Sequence, residues 1–237
     1  MLAFQIVLFC GAVGGDTEGM ISYWKLDEAS GTLYDPIGNN NGTQYGEVTY
    51  GVTGQVGGAL SFDGANDYVN VDSIVNSISN SAGSVSIWFN VNAGANSDNS
   101  LKTLFSAGKT EAGKMIAMCI QQSPTNIIYI SHYGQNYDKS TGIQATAGTW
   151  NHLVYVWTSS NESIYLNGNL SFSFSRIAFT YAGSGSIARI GHYSISGWTH
   201  KYYGFIDEVA IFNRALTQTQ ITNLYNQGVL HKPYCQP

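Results

Sequence analysis

The run Gly204-Phe205-Ile206-Asp207-Glu208-Val209-Ala210-Ile211-Phe212-Asn213-Arg214-Ala215-Leu216 constrains this chain more than any other segment. It sets two carboxylates inside an apolar strand and leads directly into a helix start. At the two-residue period of a strand, Phe205, Asp207, Val209 and Ile211 share one face, and Ile206, Glu208, Ala210 and Phe212 share the other. The first face reads as core, so Asp207 is expected to be buried. Burying a lone carboxylate costs several kcal/mol, which calls for a cation or a cluster of N–H donors beside it. Thr217 then opens a helix, with Gln220 three residues on completing a capping box. Ile221, Leu224 and Tyr225 form the apolar face, and Gly228 is the expected stop.

Composition fits many short strands and tight turns. Of 237 residues only 11% are charged, while Gly and Tyr number 27 and 16. The 43% hydrophobic content is enough for one large core, hence one domain. A net charge of -5 with scattered Lys and Arg provides no basic stripe and argues against a nucleic-acid partner. Strands are expected over 21–26, 47–50, 59–62, 68–71, 84–91, 101–107, 114–120, 126–131, 152–158, 163–166, 170–174, 186–190 and 204–212. Asn167-Gly168 is a hairpin signal, since both central residues of a type I′ turn need positive φ. A short helical turn is expected over 72–79, and surface loops over 94–100 and 134–142. Trp24, Trp88, Trp150 and Trp157 lie in strand patterns and read as core.

Leu2 to Val13 is an apolar run shorter than the roughly 20 residues that cross a bilayer, so no transmembrane span is expected. It suits a signal-peptide core, or alternatively an extra strand added to a sheet edge of the same or a neighbouring molecule. The domain reading is therefore an apolar leader over 1–18, one β domain over 19–229 and a tail over 230–237. Cys119, within Met115–Ile120, reads as a buried free thiol. The sequons at Asn41, Asn161 and Asn169 matter only on a eukaryotic secretory route.

The C-terminal run resembles the signature G-x-I-D-E-V-x-I-[YFW]-N-R-A-L of the laminin G-like, concanavalin A-like jelly-roll domains. Four further segments are similar to that family's motifs, in family order: Trp24 to Gly31 (WKLDEASG) with Asp35 to Thr43 (DPIGNNNGT), Gly57 to Gly64 with Asp67-Tyr68-Val69, Trp150 to Val154 (WNHLV), and Tyr165 to Gly168 (YLNG). The resemblance implies an all-β, two-sheet antiparallel jelly-roll sandwich with one short C-terminal helix, its first and last strands side by side. That adjacency would allow Cys10 and Cys235 to pair. It also implies a structural calcium joining the loop after the first strand to the last strand, which maps onto Asp27, Asn40, Asn41, Gly42 and Asp207. The alternative for these residues is ordinary turn capping.

For function, the related glucanases carry E-x-D-x-E on a strand, and no such triplet occurs here. Asp27-Glu28 and Asp207-Glu208 point to opposite faces of a strand, and no Gly-x-Ser-x-Gly elbow is present. The expected function is thus a non-catalytic recognition or adhesion module, extracellular or on the cell surface, with a glycan or glycoprotein as partner. Sugars are bound by aromatic faces with polar side chains around them, so Tyr133, Tyr137, Trp198 and His200 are the ligand candidates. Rim packing is the competing reading for the same residues. A filament or coat subunit that self-associates through a sheet edge, and a polysaccharide-cleaving enzyme with carboxylates from distant strands, are the other two functional readings.

Overall fold

The computed structural model describes residues 17–94, 100–109, 111–122, 125–133, 137–177, 185–193 and 200–234. Its strands are β1 (Met20–Trp24), β2 (Thr43–Tyr45), β3 (Thr49–Thr53), β4 (Gly58–Asp63), β5 (Tyr68–Asn70), β6 (Gly83–Val91), β7 (Leu101–Gly108) and β8 (Met115–Gln121). The chain continues with β9 (Ile127–His132), β10 (Tyr137–Gln144), β11 (Trp150–Trp157), β12 (Asn161–Leu166), β13 (Asn169–Ser175), β14 (Ile187–Ile190), β15 (Tyr203–Phe212) and helix α1 (Gln218–Val229). An eight-stranded antiparallel sheet runs β13-β12-β11-β6-β15-β4-β3, with β1 added on β15. A seven-stranded sheet runs β10-β9-β8-β7-β14-β5-β2. This is a two-sheet jelly-roll sandwich with one C-terminal helix, and its first and last strands pair as expected.

The sheets close on one core. Ile87, Phe89, Leu153, Tyr155, Trp157 and Ile206 come from the larger sheet, and Val69, Phe105, Met118, Ile130 and Ile190 from the smaller. The strict alternation of β6 and β11 produces this, because every second residue must face the partner sheet. Asn167 and Gly168 have φ of 51° and 78°, as the hairpin between β12 and β13 requires. A 3-10 turn occupies Asp72–Ser77, within the expected 72–79.

Strand β15 departs from simple alternation. Glu208 has φ 50° and is the extra residue of a bulge between Asp207 and Ala210 against β6. Before the bulge β15 pairs with β4, and after it with β1, while β6 runs along its other side. The bulge resets the phase: Ile206, Val209 and Ile211 face the core, whereas Asp207 stands opposite Trp88 on the far face. The expectation that Asp207 shares the face of Val209 and Ile211 is therefore corrected.

Other boundaries also differ. Residues 137–144 form the edge strand β10 rather than a loop, since an edge strand solvated on one side needs no apolar alternation. Thr43–Tyr45 is a strand that its polar sequence concealed. Gly228 is buried inside α1, where any side chain would collide with the Trp88 indole, so it serves close approach rather than termination. The helix ends two residues later in a Schellman arrangement: His231 N–H to Gly228 C=O (2.8 Å) and Lys232 N–H to Gln227 C=O (2.9 Å), with His231 at φ 53°. The capping box forms as expected around Thr217 and Gln220. Packing continues past residue 229, because Tyr234 is 2% exposed and stacks on Tyr23. The leader, Cys10, Cys235 and most of the 94–100 loop lie outside the described residues.

Candidate functional site

The sandwich has two outer faces, and α1 with the chain end covers one. Trp88, Ala210 and Phe212 of the larger sheet are packed under Ile221, Leu224 and Tyr234. The face that remains belongs to the seven-stranded sheet. Across it, one row of directly opposed residues runs edge to edge: Thr43, Asn70, Arg189, Ser106, Ala117, Ser131 and Asp138. Their chain neighbours Val69, Ile190, Phe105, Met118 and Ile130 point into the core, which turns this row away from it; Thr43 and Asp138 at the ends are exposed, Asn70 and Arg189 are half-buried, and Ser106, Ala117 and Ser131 between them are buried.

Two side-chain groups build on that row. Around β8 and β9, Met115, Ala117, Cys119 and Tyr193 form a small apolar cluster, with Tyr129 and Tyr133 packed against it. His200 joins through an edge contact with Tyr193, centroids 5.6 Å apart at 72°, and its Nδ1–H donates to the Leu101 carbonyl at 2.5 Å. Two ligand candidates, Tyr133 and His200, thus come to the same face. Cys119 is a buried free thiol, and burial pushes its pKa up to about 12, so it is inert.

Around β2, β5 and β14, Tyr45 and Tyr68 stack at 4.8 Å and 2°, and Tyr68 stacks on His192 at 5.3 Å and 26°. The Arg189 guanidinium carbon lies 5.2 Å from the Tyr68 ring centre, and Arg189 is ion-paired to Asp72. This group is absent from the candidates chosen by sequence. The signal for it was present: Arg189 sits between the core residues Ala188 and Ile190, and Tyr68 precedes the core residue Val69, so alternation turns both away from the core. Trp198 lies outside the described residues, as does the side chain of Tyr137, whose backbone opens β10 opposite His132.

The five residues expected to hold calcium separate into two places. Asn40, Asn41 and Gly42 belong to a loop organised by Asp35, whose carboxylate accepts N–H groups from Tyr23, Ile37, Gly38 and Asn40. The Asn40 carbonyl takes the Trp24 indole N–H at 2.8 Å, Asn41 Oδ1 takes the Asp35 N–H at 2.9 Å, and the Gly42 carbonyl takes the Leu33 N–H at 3.1 Å. Each of these oxygens accepts one hydrogen bond, which holds the loop in the turn-capped form. Asp27 and Asp207 instead meet at the 54–58 turn, accepting from Gly58 N–H (2.6 Å) and Val56 N–H (2.9 Å). Among the described residues no three His, Cys, Asp or Glu side chains converge as a metal group.

Asp207 and Glu208 are both fully buried on the covered face. Among the described residues Asp207 Oδ1 and Glu208 Oε1 have no hydrogen-bond partner, while the Tyr23 hydroxyl donates to Glu208 Oε2. Burial first, and then their mutual repulsion and the nearby Asp27 charge, raise the Asp207 pKa; burial likewise dominates the rise at Glu208.

Residues 63–222, more than half of the chain, match the Laminin_G_3 family model, described as the concanavalin A-like lectin/glucanases superfamily. No curated protein matches the chain. Among solved structures, domain 4 of AbnA, a GH43 extracellular arabinanase from Geobacillus stearothermophilus in complex with arabinotriose, is similar with TM-score 0.69 and 25% identity. The match covers 87% of this chain and 98% of that one. Trypanosoma rangeli sialidase with 2,3-difluorosialic acid has TM-score 0.69 and 14% identity, covering 90% of this chain and 34% of its own. The binding domain of botulinum neurotoxin serotype D/C has TM-score 0.67 and 16% identity, with coverages of 90% and 53%. At those identities the last two show the fold alone.

Proposed function

We propose, from the premise that the chain belongs to the concanavalin A-like lectin/glucanases superfamily, that it is a non-catalytic carbohydrate-binding module whose ligand lies on the outer face of the seven-stranded sheet. The observation that carries this reading is the stacked group of Tyr45, Tyr68 and His192 at one end of that face, where Tyr45 is exposed and Thr43, Asn70 and Arg189 stand beside it. A rigid sheet bearing Tyr rings and short polar side chains suits a sugar, which offers C–H faces for stacking and hydroxyls for hydrogen bonds. The near-complete match to an arabinotriose-bound domain supports it. A non-catalytic role is supported by where the adjacent acids lie: Asp207 and Glu208 are buried beneath the helix side, away from any extended polysaccharide.

Display outside the cell is part of this reading, supported by the extracellular arabinanase neighbour. Among the described residues no helix is long and apolar enough to cross a membrane.

Titration calorimetry against arabino-oligosaccharides and a panel of neutral oligosaccharides tests the proposal. Tyr45→Ala and Tyr133→Ala should weaken binding by about threefold to tenfold each, the worth of one ring contact. Gln218→Ala, on the covered side, should leave it unchanged. Absence of binding to every glycan overturns the proposal.

A further inference from the structure

We propose that the Arg189 end of this face binds a carboxylate-bearing sugar unit, so that the ligand is an acidic rather than a neutral glycan. The inference rests on the carbohydrate reading and adds its charge. The chain carries a net charge of -5 with only 10 Lys and Arg. Yet Arg189, Lys201, His192 and His200 lie close enough to interact electrostatically, with Asp72 the acid paired among them.

Arg189 is oriented for such a role. Its Nη1 donates to Asp72 and to the Ala188 carbonyl, the latter at 2.9 Å, and Tyr68 lies under its guanidinium. Asp72 is itself held by the Ala188 N–H at 2.8 Å. The Arg189 side chain is 11% exposed, and among the described residues its bonds leave from Nη1, so Nε and Nη2 form the paired edge that a carboxylate meets in a two-point contact. Holding the side chain in advance removes much of the ordering cost of binding. Beside it, His192 Nδ1 is buried and has no hydrogen-bond partner among the described residues. Burial first, and then the nearby Lys201, Arg189 and His200, push the His192 pKa down to about 4, so its ring is neutral at pH 7.

Three probes test this in calorimetry: an oligogalacturonate, its methyl ester, and sialyllactose, with polyglutamate as a non-sugar polyanion. The wild type should bind at least one acidic sugar about tenfold to a hundredfold more tightly than the neutral ester, the effect of one charge-assisted contact. That preference should shrink with salt and vanish in Arg189→Gln, with part of it kept in Arg189→Lys. Which acidic sugar binds identifies the source of the carboxylate. In NMR titration, the His192 pKa should rise on binding, because an anion replaces repulsion with attraction. Equal affinity for acid and ester overturns the charge assignment while leaving the carbohydrate reading intact. Failure of every sugar overturns both, and equal binding of polyglutamate overturns a sugar site. If Arg189→Gln does not fold, the ester comparison and salt series on the wild type decide alone.

Discussion

Asp207 stands directly opposite Trp88 across β15 and β6, on the face beneath α1, because Glu208 after it is one residue too many for the ladder. The bulge turns two successive acids toward the same covered seam. It also divides β15 between two partners, β4 and β1, so the acids sit where the last strand changes neighbours.

The Tyr23 hydroxyl donates to Glu208 Oε2, which the Tyr234 N–H also reaches at 3.4 Å, and among the described residues Oε1 has no partner. Tyr23→Phe should therefore destabilise the fold by about 1–3 kcal/mol, because it leaves the buried carboxyl with only the longer Tyr234 N–H bond. A urea titration reads this, and the double variant with Glu208→Gln should lose less than the two single losses added. Strict additivity would show that the two groups are uncoupled.

Asp207→Ala should lower the thermal midpoint more than Asp138→Ala, since Asp207 accepts the buried Val56 N–H and Asp138 is exposed at an edge. A chelator separates two ways of neutralising the buried acid. A bound calcium would make the wild type, but not Asp207→Ala, sensitive to it by linkage. Insensitivity of both assigns the neutralisation to protons.

His152 is fully buried against Ser86 Oγ (2.8 Å) and the Tyr234 hydroxyl (3.0 Å), and burial pushes its pKa down to about 3 from 6.5. The unfolded chain then binds the extra proton between those values, so stability is full above pH 6.5 and falls as pH drops toward 3. The contribution is about 1.4 kcal/mol per pH unit within that window. Melting curves of wild type minus His152→Gln isolate it from the carboxyls, and parallel curves across the window would contradict it.

Gly228→Ala introduces a better helix former yet should cost about 1–3 kcal/mol, because the added methyl meets the Trp88 indole and α1 must lift. A rise in the urea midpoint would show that the helix is not pressed against the sheet there.

The sequence by itself determined the sandwich. Period-two alternation in β6 and β11, the Asn167-Gly168 turn and the Thr217 capping box are local, and local chemistry decides them. It also determined the burial of Trp24 and Trp157 in the core, whereas Trp88 stands on the outer face of β6 and is buried by α1, and Trp150, expected as core, is only partly buried on that same face. Only tertiary structure decided where the acids and the aromatic face lie. The Glu208 bulge exists because β15 pairs on both sides, which no local signal announces, and it reverses the face of Asp207. Gly228 looks like a stop until Trp88 is beneath it. Tyr45, Tyr68, His192 and Arg189 come from segments more than a hundred residues apart at their extremes, joined through β2, β5 and β14. Strand order, set by long-range pairing, makes them neighbours, and sequence spacing carries no trace of it.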